Sequence, residues 1–528
     1  MPTSDDQQQV MALLADPATY GVATVERVAT HASVVFLAGE RAYKLKRALR
    51  YSYLDYGSVE RRGAACAQEL AINRRFAPGL YLGVSPITRA ADGRLAIGGA
   101  GDTVDWVVVM RRFEQSAQFD QMAGRGALTP ALISALADRI ARLHALAEPR
   151  PDYGGAAGID RAITITVDNL RPESGRWFAA DDVQDWTLRA RAGLARVAAG
   201  LDRRRAAGKV RACHGDLHLR NICLFEGQPT PFDAIEFNPD IGSIDLLFDL
   251  AFLLMDLHGR GLDRLGNLLF NRYLDQTDES DGLAALPLLL SLRAAIRAQV
   301  TAAAGRRSAD AAGATAAAAE AVRYLALARA LLDPPPPPRL IAVGGLSGSG
   351  KSTLAGDLAP ALGPPPGARL LRSDVLRKRA AGVAPEVRLP DAAYAPAAHA
   401  AVYAGLADEA RRCLGGGVAV IADAVFSSAA EQQAIAALAA AAGVAFIGLW
   451  LVAPQEVLIE RVAARRADAS DATAAVVRAQ VARQGGVLPG EWGPGGQRAG
   501  WQVIDAAGPA ADVARSARAV LGLPADRR

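Results

Sequence analysis

Hydrophobic and polar positions follow two different patterns along the chain. In the first part, alternation over residues 34 to 50 predicts two strands joined by a Gly-Glu turn, and an apolar run at 105 to 113 predicts another strand. Helical spacing predicts a helix over 58 to 76, and the later pattern is mainly helical. Strands first and helices afterwards favour an α+β arrangement, with a small lobe at about 1–113 and a helical lobe at about 114–332.

Continuous apolar strands alternate with helices in the last part of the chain. Such strand patterns occur there as RLIAVGG, VAVIADAVF, VAFIGLWLV and WQVIDA. Strands that are apolar throughout and separated by helices are typical of a parallel sheet covered on both faces. Residues 340–528 are therefore predicted to form an α/β domain around a doubly wound parallel sheet.

A run of five prolines at 334–338 separates the two patterns. Such a run is a stiff spacer that neither a helix nor a sheet can include. The sequence therefore predicts a first domain of residues 1–332, a linker at 333–339 and a second domain after it. The two halves are expected to fold independently when the chain is cut within the linker.

Composition narrows the class of protein. The 528 residues are 51% apolar and 22% charged, which is typical of a globular protein with several domains. The net charge of +4 is the small difference between 59 basic and 55 acidic side chains, so it does not favour a nucleic-acid partner.

A polar, acidic beginning and only short apolar runs predict a cytoplasmic protein with no membrane partner. The cysteines lack metal-site spacing and suit a reducing compartment: Cys66, Cys213, Cys223 and Cys413.

A phosphate-binding motif follows the first strand of the second domain. The stretch GLSGSGKS fits the pattern G-x-x-x-x-G-K-[ST], with an apolar strand before it and a helix after it. Glycines let backbone N–H groups point at phosphate oxygens, and the start of the next helix adds positive potential. In this motif the lysine reaches the β- and γ-phosphates and the final hydroxyl binds magnesium, so ATP and Mg²⁺ are the predicted ligands. The predicted nucleotide-binding residues are Gly345, Ser347, Gly348, Ser349, Gly350, Lys351, Ser352 and Thr353, with Ser352 also at the metal.

Other candidate residues of the second domain lie where open α/β sheets bind ligands. Asp374 and Asp423 each come at or just past the end of a strand, and a later helix carries Arg461 and Arg465 in a segment typical of a lid over phosphates. These features resemble the small-molecule and polynucleotide kinase branch of P-loop proteins over about 340–510. The resemblance implies that Asp374 contacts the acceptor hydroxyl and acts as base, and that Asp423 binds magnesium or substrate.

A second kind of kinase motif occurs in the first domain. The stretch HGDLHLRN places Asp216 and Asn221 five residues apart, which is the spacing of a kinase catalytic loop. A carboxylate that faces the acceptor and an oxygen ligand for magnesium are what phosphoryl transfer requires of such a loop. The His-Gly-Asp form, with IEF and DLA downstream, resembles the aminoglycoside phosphotransferases and their choline- and sugar-kinase relatives. The resemblance covers the first 330 residues and implies a protein-kinase-like bilobal fold.

The same resemblance implies roles for the residues of this loop. Asp216 is expected to be the catalytic base and Asn221 a magnesium ligand. Glu236 is expected to be the second magnesium ligand, although the family usually has aspartate there, and Asp233 on the same strand is the alternative. Asp249 is expected to support the loop from the helix beneath it.

The nucleotide lysine of the first domain is Lys44 or Lys46. Both lie on the same face of one predicted strand, and the order AYKL, which resembles the kinase motif, favours Lys44. Glu69 shares an otherwise apolar helix face and so needs an ionic partner, which the lysine provides. The strand at 105 to 113 is the expected hinge, with the backbone of Met110 to Arg112 meeting adenine.

The sequence therefore predicts a kinase with two ATP-using phosphotransferase domains. The predicted acceptor is a hydroxyl of a small molecule, such as a sugar, an amino sugar or a related alcohol. One alternative is a nucleotide-binding regulator in which one domain is a sensor or scaffold. Another is an aminoglycoside-modifying resistance enzyme, which would need an acidic acceptor groove. A polynucleotide end is a further possible acceptor for the second domain.

Overall fold

The computed structural model describes residues 4–30, 32–51, 54–308, 310–464, 469–483 and 500–524. The chain forms two compact units. The first unit contains residues 1–259 and 288–332, and the second contains residues 260–287 and 333–528. The polypeptide therefore leaves the first unit at residue 260, returns to it at residue 288 and leaves it again at residue 333.

Several strands of the first unit form an antiparallel sheet. They are β1 (Val25–Ala29), β2 (Ser33–Ala38), β3 (Arg41–Lys46), β4 (Arg50–Tyr51), β5 (Leu54–Asp55), β6 (Tyr81–Arg89), β7 (Leu95–Ile97), β8 (Asp102–Arg111), β9 (Val210–Ala212), β10 (Ile222–Phe225), β11 (Gln228–Pro231) and β12 (Ser243–Asp245). Within the described residues the main sheet has six strands, in the order β1-β2-β3-β8-β6-β7. Lys44 of β3 lies opposite Val35 and Val108. Because side chains alternate across a strand, Lys44 faces away from Leu45, which packs into the apolar core with Phe36.

Helices follow the sheet, as the sequence predicts. Those before the proline run are α1 (Ser4–Ala15), α2 (Val59–Phe76), α3 (Phe119–Gly124), α4 (Pro130–Leu146), α5 (Gly155–Leu170), α6 (Ala180–Ala206), α7 (Pro239–Gly242), α8 (Leu246–Gly259), α9 (Asp263–Gln276), α10 (Leu286–Arg306) and α11 (Ala311–Ala330). Helix α2 begins after Ser58, whose hydroxyl accepts a hydrogen bond from the amide of Arg61 as an N-cap. Helix α8 is buried along most of its length, and its residue Asp249 contacts the loop at residues 214–221.

One helical stretch of the described residues, Ser280–Arg306, is long and apolar enough to cross a membrane by length and composition alone. Most of its apolar window, 67%, is buried inside the fold, as in an ordinary core helix. The predicted lack of a membrane partner stays a prediction.

The second unit contains the predicted parallel sheet. Its strands are β13 (Arg339–Gly345), β14 (Arg369–Arg372), β15 (Val420–Asp423), β16 (Ala445–Val452) and β17 (Trp501–Asp505). Across the described residues they run parallel in the order β14-β15-β13-β16-β17, so the strand order reverses at β13. An open parallel sheet binds ligands at such a reversal. The helices after β13 are α12 (Lys351–Leu358), α13 (Ser373–Ala380), α14 (Pro396–Gly415), α15 (Ala429–Ala441), α16 (Gln455–Ala463), α17 (Ala474–Arg483) and α18 (Ala510–Leu521).

Helix α9 covers β14, the edge strand of this sheet. Nδ2 of Asn267 donates to the carbonyl of Ala368 at 3.1 Å, and Oδ1 of Asn271 accepts from the amide of Leu370 at 2.7 Å. Arg369 of β14 is completely buried. Its guanidinium contacts Asp275 at 2.7 Å and Glu409 at 2.8 Å. The side chains of α9 therefore satisfy backbone groups that an edge strand otherwise leaves open.

These contacts depart from the predicted domain boundary. The sequence places residues 260–287 in the first domain, whereas they pack within the second unit. The expected independent folding of the halves on either side of 333–339 stays a prediction, and such a cut would separate α9 from the strand it covers.

We expect a fragment of residues 333–528 to be less stable than the same fragment joined by a flexible linker to residues 260–287. Losing the segment leaves Arg369 without Asp275 and opens backbone groups of β14, which together cost about 3–5 kcal/mol of unfolding free energy. Urea denaturation followed by circular dichroism measures the difference. A fused segment with Asn267→Ala and Asn271→Ala is the matched control and should recover only part of it. Equal stability with and without the segment would contradict the prediction.

Candidate active sites

A buried carboxylate joins β3 to α2 in the first unit. Glu69 of α2 is completely buried. Its Oε1 accepts a hydrogen bond from Nζ of Lys44 at 2.8 Å, and its Oε2 accepts one from Nζ of Lys46 at 2.7 Å. The contact expected between Glu69 and Lys44 is present, and Lys46 makes the same contact with the other oxygen.

Each lysine also holds a second carboxylate. Nζ of Lys44 donates to Asp233 at 2.5 Å, and Nζ of Lys46 donates to Glu236 at 2.5 Å. The Tyr56 hydroxyl donates to Glu236 at 3.1 Å. Lys44, Asp233 and Glu236 line the cleft of this unit, whereas Lys46 lies beneath its surface with 1% exposure. Lys44 is thus the lysine that faces the cleft. The two candidate metal-binding carboxylates, Asp233 and Glu236, line the same cleft.

The charges of this network stabilise one another. Burial alone would raise the pKa of Glu69, but the two lysines lower it to about 2. Burial alone would lower the pKa of Lys44, but Asp233 and Glu69 outweigh that effect and hold the pKa well above its usual range. Both groups are therefore charged at neutral pH in spite of their burial.

The loop at residues 214–221 presents Asp216 to the same cleft. Its carboxylate accepts a hydrogen bond from Nδ2 of Asn221 at 2.8 Å, and Nε2 of His218 lies 3.3 Å away. Burial alone would raise the pKa of Asp216, but His218 and then Arg297 outweigh it and hold the pKa well below its usual range. The carboxylate is therefore ionised, and its 35% exposure leaves it open to a ligand in the cleft.

The backbone of this loop is fixed by α8 and α10. Asp249 of α8 accepts hydrogen bonds from the amides of His214 at 3.1 Å and Gly215 at 2.9 Å, as its expected supporting role requires. Nη1 of Arg293 donates to the carbonyl of Gly215 at 3.1 Å. Gly215 has φ of 81°, and a Cβ there would lie 3.1 Å from the carbonyl oxygen of Ile241. A glycine is therefore needed where the loop turns.

The predicted hinge lines the cleft but requires one correction. Met110 of β8 pairs with Ala42 of β3, and both Met110 and Arg112 line the cleft. The amide of Arg112 donates to the carbonyl of Glu40 at 2.9 Å. This amide is therefore not available to an adenine, because the chain after β8 stays paired with the turn between β2 and β3.

The phosphate-binding motif of the second unit forms the turn from β13 into α12. A Cβ on Gly345, where φ is 135°, would lie 2.6 Å from the carbonyl oxygen of Leu451. A Cβ on Gly348, where φ is 89°, would lie 2.4 Å from the carbonyl oxygen of Leu458. The buried Oγ of Ser349 has no hydrogen-bond partner among the residues that the structure describes. A tightly curved backbone that only glycine permits, with an unsatisfied hydroxyl inside it, fits a phosphate group.

Two carboxylates and a hydroxyl meet at the ends of the neighbouring strands. Oγ of Ser352 donates to Oδ2 of Asp423 at 2.5 Å. Asp374, in the first turn of α13, lines the same cavity of about 1660 Å³. Burial, and then the charge of Asp423, raise the pKa of Asp374. Hydroxyl and carboxylate oxygens are the donors that Mg²⁺ prefers, so this set fits the ion.

The remaining motif residues surround this cavity. Nζ of Lys351 donates to the carbonyl of Leu346 at 2.9 Å. The amide of Ser347 donates to Oε1 of Gln480 on α17 at 2.9 Å, a contact that the sequence did not predict. Gly345 shapes the turn, and the motif residues that line the cavity are Ser347, Gly348, Ser349, Gly350, Lys351, Ser352 and Thr353.

One of the two predicted lid arginines, Arg461, binds backbone carbonyls in the structure. Arg461 of α16 lines the cavity, but its guanidinium donates to the carbonyls of Ala506 at 2.7 Å, Ala507 at 3.1 Å and Gly508 at 3.0 Å. It is therefore engaged in fixing the chain after β17 rather than free for phosphates. Arg465 lies outside the described residues.

Tyr56, Arg293 and Gln480 are the site residues that the sequence analysis missed. For Arg293 the signal is an arginine within the apolar run LPLLLSLRAAI, since a charge in such a run needs a partner. Tyr56 follows an aspartate in a short polar stretch and Gln480 lies in a helix of mainly alanine and valine, and neither stretch carries a local signal.

Both halves of the chain match models of known families. Residues 59–287 match the phosphotransferase enzyme family, and residues 340–486 match an AAA domain. Together with the catalytic-type loop and the phosphate-binding turn, these matches define the class: the chain is a kinase that joins a phosphotransferase domain to a P-loop domain. The resemblances stated for both halves, and the predicted fold class, are confirmed.

The chain belongs to the same family as an uncharacterized protein of Mycobacterium tuberculosis strain H37Rv. The two are 30% identical over 491 residues, which cover 91% of this chain and 92% of the relative. An uncharacterized protein of Mycobacterium bovis matches with the same identity and the same coverage. Both domains therefore occur together in these relatives.

Solved structures match part of the chain each. A choline/ethanolamine kinase family protein from Mesorhizobium loti is 18% identical, covers 62% of this chain and 99% of its own, and has a TM-score of 0.36. A gluconokinase from Sinorhizobium meliloti is 21% identical, covers 35% of this chain and 93% of its own, and has a TM-score of 0.25.

Proposed function

We propose that both domains transfer the γ-phosphoryl group of ATP, with Mg²⁺, to a hydroxyl of a small molecule such as a sugar, an amino sugar or a related alcohol. The observation that carries the proposal is that the ionised Asp216 opens into the cleft that Lys44 also lines. An acceptor-facing carboxylate and a cation for the phosphates are the two parts that a kinase loop must bring together.

In the first domain, the acceptor hydroxyl gives its proton to Asp216 as its oxygen attacks the γ-phosphorus. Lys44 neutralises phosphate charge, and Glu69 holds that lysine in position. Asn221 with Asp233 or Glu236 would hold magnesium. The ion, when bound, neutralises charge on the β- and γ-phosphates.

In the second domain, the turn from β13 into α12 binds the phosphates and Lys351 neutralises them. Ser352 and Asp423 would hold magnesium. Asp374 lines the same cavity from α13, so it can accept the proton of an acceptor hydroxyl there. We propose a small molecule rather than a polynucleotide end as this acceptor.

We propose that the protein is bifunctional and works in the cytoplasm. The four cysteines, Cys66, Cys213, Cys223 and Cys413, are all buried and free. Buried free thiols suit a reducing compartment. We also propose that the protein has neither a nucleic-acid partner nor a membrane partner.

Asp216→Asn should lower kcat of the first domain by about 10²–10⁴-fold, because the acceptor loses its base. ATP affinity should stay nearly unchanged, since the carboxylate faces the acceptor. The measurement is acceptor-dependent ADP release together with ATP titration, in a Lys351→Ala background that silences the second domain. Asp102→Asn, an exposed carboxylate at the start of β8 that does not line the cleft, is the matched control. Unchanged turnover would refute the role, and loss of ATP binding would make Asp216 a metal ligand.

Lys351→Ala and Asp374→Asn should separate binding from transfer in the second domain. Lys351→Ala should remove both ATP binding and activity, because it takes away the cation at the phosphates. Asp374→Asn should keep Mg-ATP binding and lower transfer by about 10²–10⁴-fold. ATP titration beside ADP release in an Asp216→Asn background tests this, with the exposed Asp408→Asn as control. If both variants lose nucleotide binding equally, Asp374 belongs to the metal site and Asp423 takes the acceptor role.

The two domains should differ in their response to acid. Asp374 has a raised pKa, so it takes up a proton at a higher pH than an ordinary aspartate and then cannot act as base. Asp216 has a lowered pKa, so it stays ionised to lower pH. As pH falls, activity of the second domain should therefore be lost first. The pH profiles of ADP release, each with the other domain silenced as above, test the order, and coinciding acid limbs would contradict it.

A further inference from the structure

The part of the first unit's cleft between Asp216 and α10, here called the acceptor end, is rich in arginine. The cleft has a volume of about 1170 Å³, and α10 forms one of its walls. Arg293, Arg297 and Arg307 of this region line the cavity, with Val300 and Ala303 between them at helical spacing. Arg293 and Arg297 lie on one face of α10 and Arg307 follows the end of the helix, so three arginines line the cleft in this region.

Apart from Asp216, which lies beside His218, the carboxylates of the same cleft do not offset these charges, because each has its own lysine or arginine partner. The pairs are Glu173 with Arg306 at 2.5 Å, Asp240 with Arg161 at 3.1 Å, Asp245 with Arg204 at 2.8 Å and Asp120 with Arg220 at 3.5 Å. Arg293, Arg297 and Arg307 have no ion pair with a carboxylate among the residues that the structure describes. The acceptor end therefore carries an excess of positive charge.

Two of the three arginines lie close to the reacting position. Arg293 is 3% exposed, its Nη1 holds the carbonyl of Gly215 beside Asp216, and its buried Nη2 has no partner in the described part of the chain. Arg297 lies with its guanidinium 5.6 Å from the ring centroid of Tyr324, and its charge acts on Asp216. A buried guanidinium with an unsatisfied N–H group is suited to an oxygen acceptor, and best to a charged one.

We infer that the acceptor of the first domain is an anionic alcohol, a hydroxyl compound that also bears a carboxylate or a phosphate. The oxyanion would bind Arg297 and Arg307 at the α10 wall while the hydroxyl faces Asp216. In the transfer, the acceptor oxygen forms a bond to the γ-phosphorus, the bond from that phosphorus to the ADP oxygen breaks, and the proton passes to Asp216. A cationic amino sugar or choline-like alcohol would meet like charge there. This inference rests on the proposed function of the first domain.

The test compares glucose-derived acceptors that differ in charge, with kanamycin as a larger polycationic acceptor. Full-length protein with Lys351→Ala is supplied with glucose, gluconate, glucose 6-phosphate, glucosamine and kanamycin, and ADP release gives kcat/KM for each. We expect the carboxylate or the phosphate compound to exceed the neutral sugar by about 10–100-fold, the range of one or two charged hydrogen bonds. Gluconate and glucose 6-phosphate distinguish the two kinds of oxyanion.

Variants identify the groups that bind the charge. Arg297→Gln should raise KM for the anionic acceptor by about 10-fold relative to KM for a neutral acceptor measured with the same variant, and Arg297→Lys should restore part of the affinity. Arg307→Gln, at an exposed position, gives a second test that does not depend on the packing of α10. Arg323→Gln removes one exposed charge outside the cleft and is the matched control.

Direct titration separates this inference from the proposed function. Gluconate and glucose 6-phosphate are titrated into the protein with Mg²⁺ and a non-hydrolysable ATP analogue. Anion binding that weakens in Arg297→Gln supports the inference even if no tested compound is phosphorylated, an outcome that would count against the proposed function. A preference for glucosamine or kanamycin, or anion binding that ignores Arg297, overturns the inference and leaves the kinase activity intact.

Discussion

Glu69 is the residue on which the first unit's site depends. A fully buried carboxylate is stable only when it is paired, and this one is shared by Lys44 and Lys46. Those lysines in turn hold Asp233 and Glu236, so α2, β3 and the segment after β11 are linked through one pair of oxygens. Removing the carboxylate would leave two buried ammonium groups short of a counter-charge. The lysine that lines the cleft and the candidate metal carboxylates are thus positioned by a single buried group.

A similar principle holds the second unit together at its edge. Arg369 is buried between Asp275 and Glu409, and only one of these carboxylates comes from the chain after the proline run. The phosphotransferase match extends to residue 287, so the segment that supplies Asp275 belongs to the first domain by sequence and to the second unit by packing. The flanking helices α8 and α10 carry Asp249 and Arg293, which fix the loop of the first site.

Much of both sites could be predicted because their chemistry lies in short stretches. The glycines at 345 and 348 and the pair Asp216 and Asn221 have spacings that a turn or a loop requires. The contact of Glu69 with Lys44 also followed from a charge on an apolar helix face. The alternation of apolar strands with helices gave the parallel sheet.

What could not be predicted depends on contacts between residues far apart in the chain. Asn267 and Asn271 are polar residues, yet they share the buried face of α9 with Phe270 and Leu274. Arg461 lies in a segment with the arginine content of a lid, but its guanidinium donates hydrogen bonds to three backbone carbonyls near residue 507. The amide of Arg112 donates a hydrogen bond to the carbonyl of Glu40. The pairing of β3 with β8 brings these two residues together. No local pattern encodes such long-range partners.

The path of the chain through α9 has a consequence for biosynthesis. The ribosome makes α9 well before it makes β14, so the helix leaves the exit tunnel with its asparagine-bearing face uncovered. The first unit can then close around α8, α10 and α11 while α9 remains without its strand. Nascent chains halted before the second unit is synthesised would therefore expose a face that the finished protein buries.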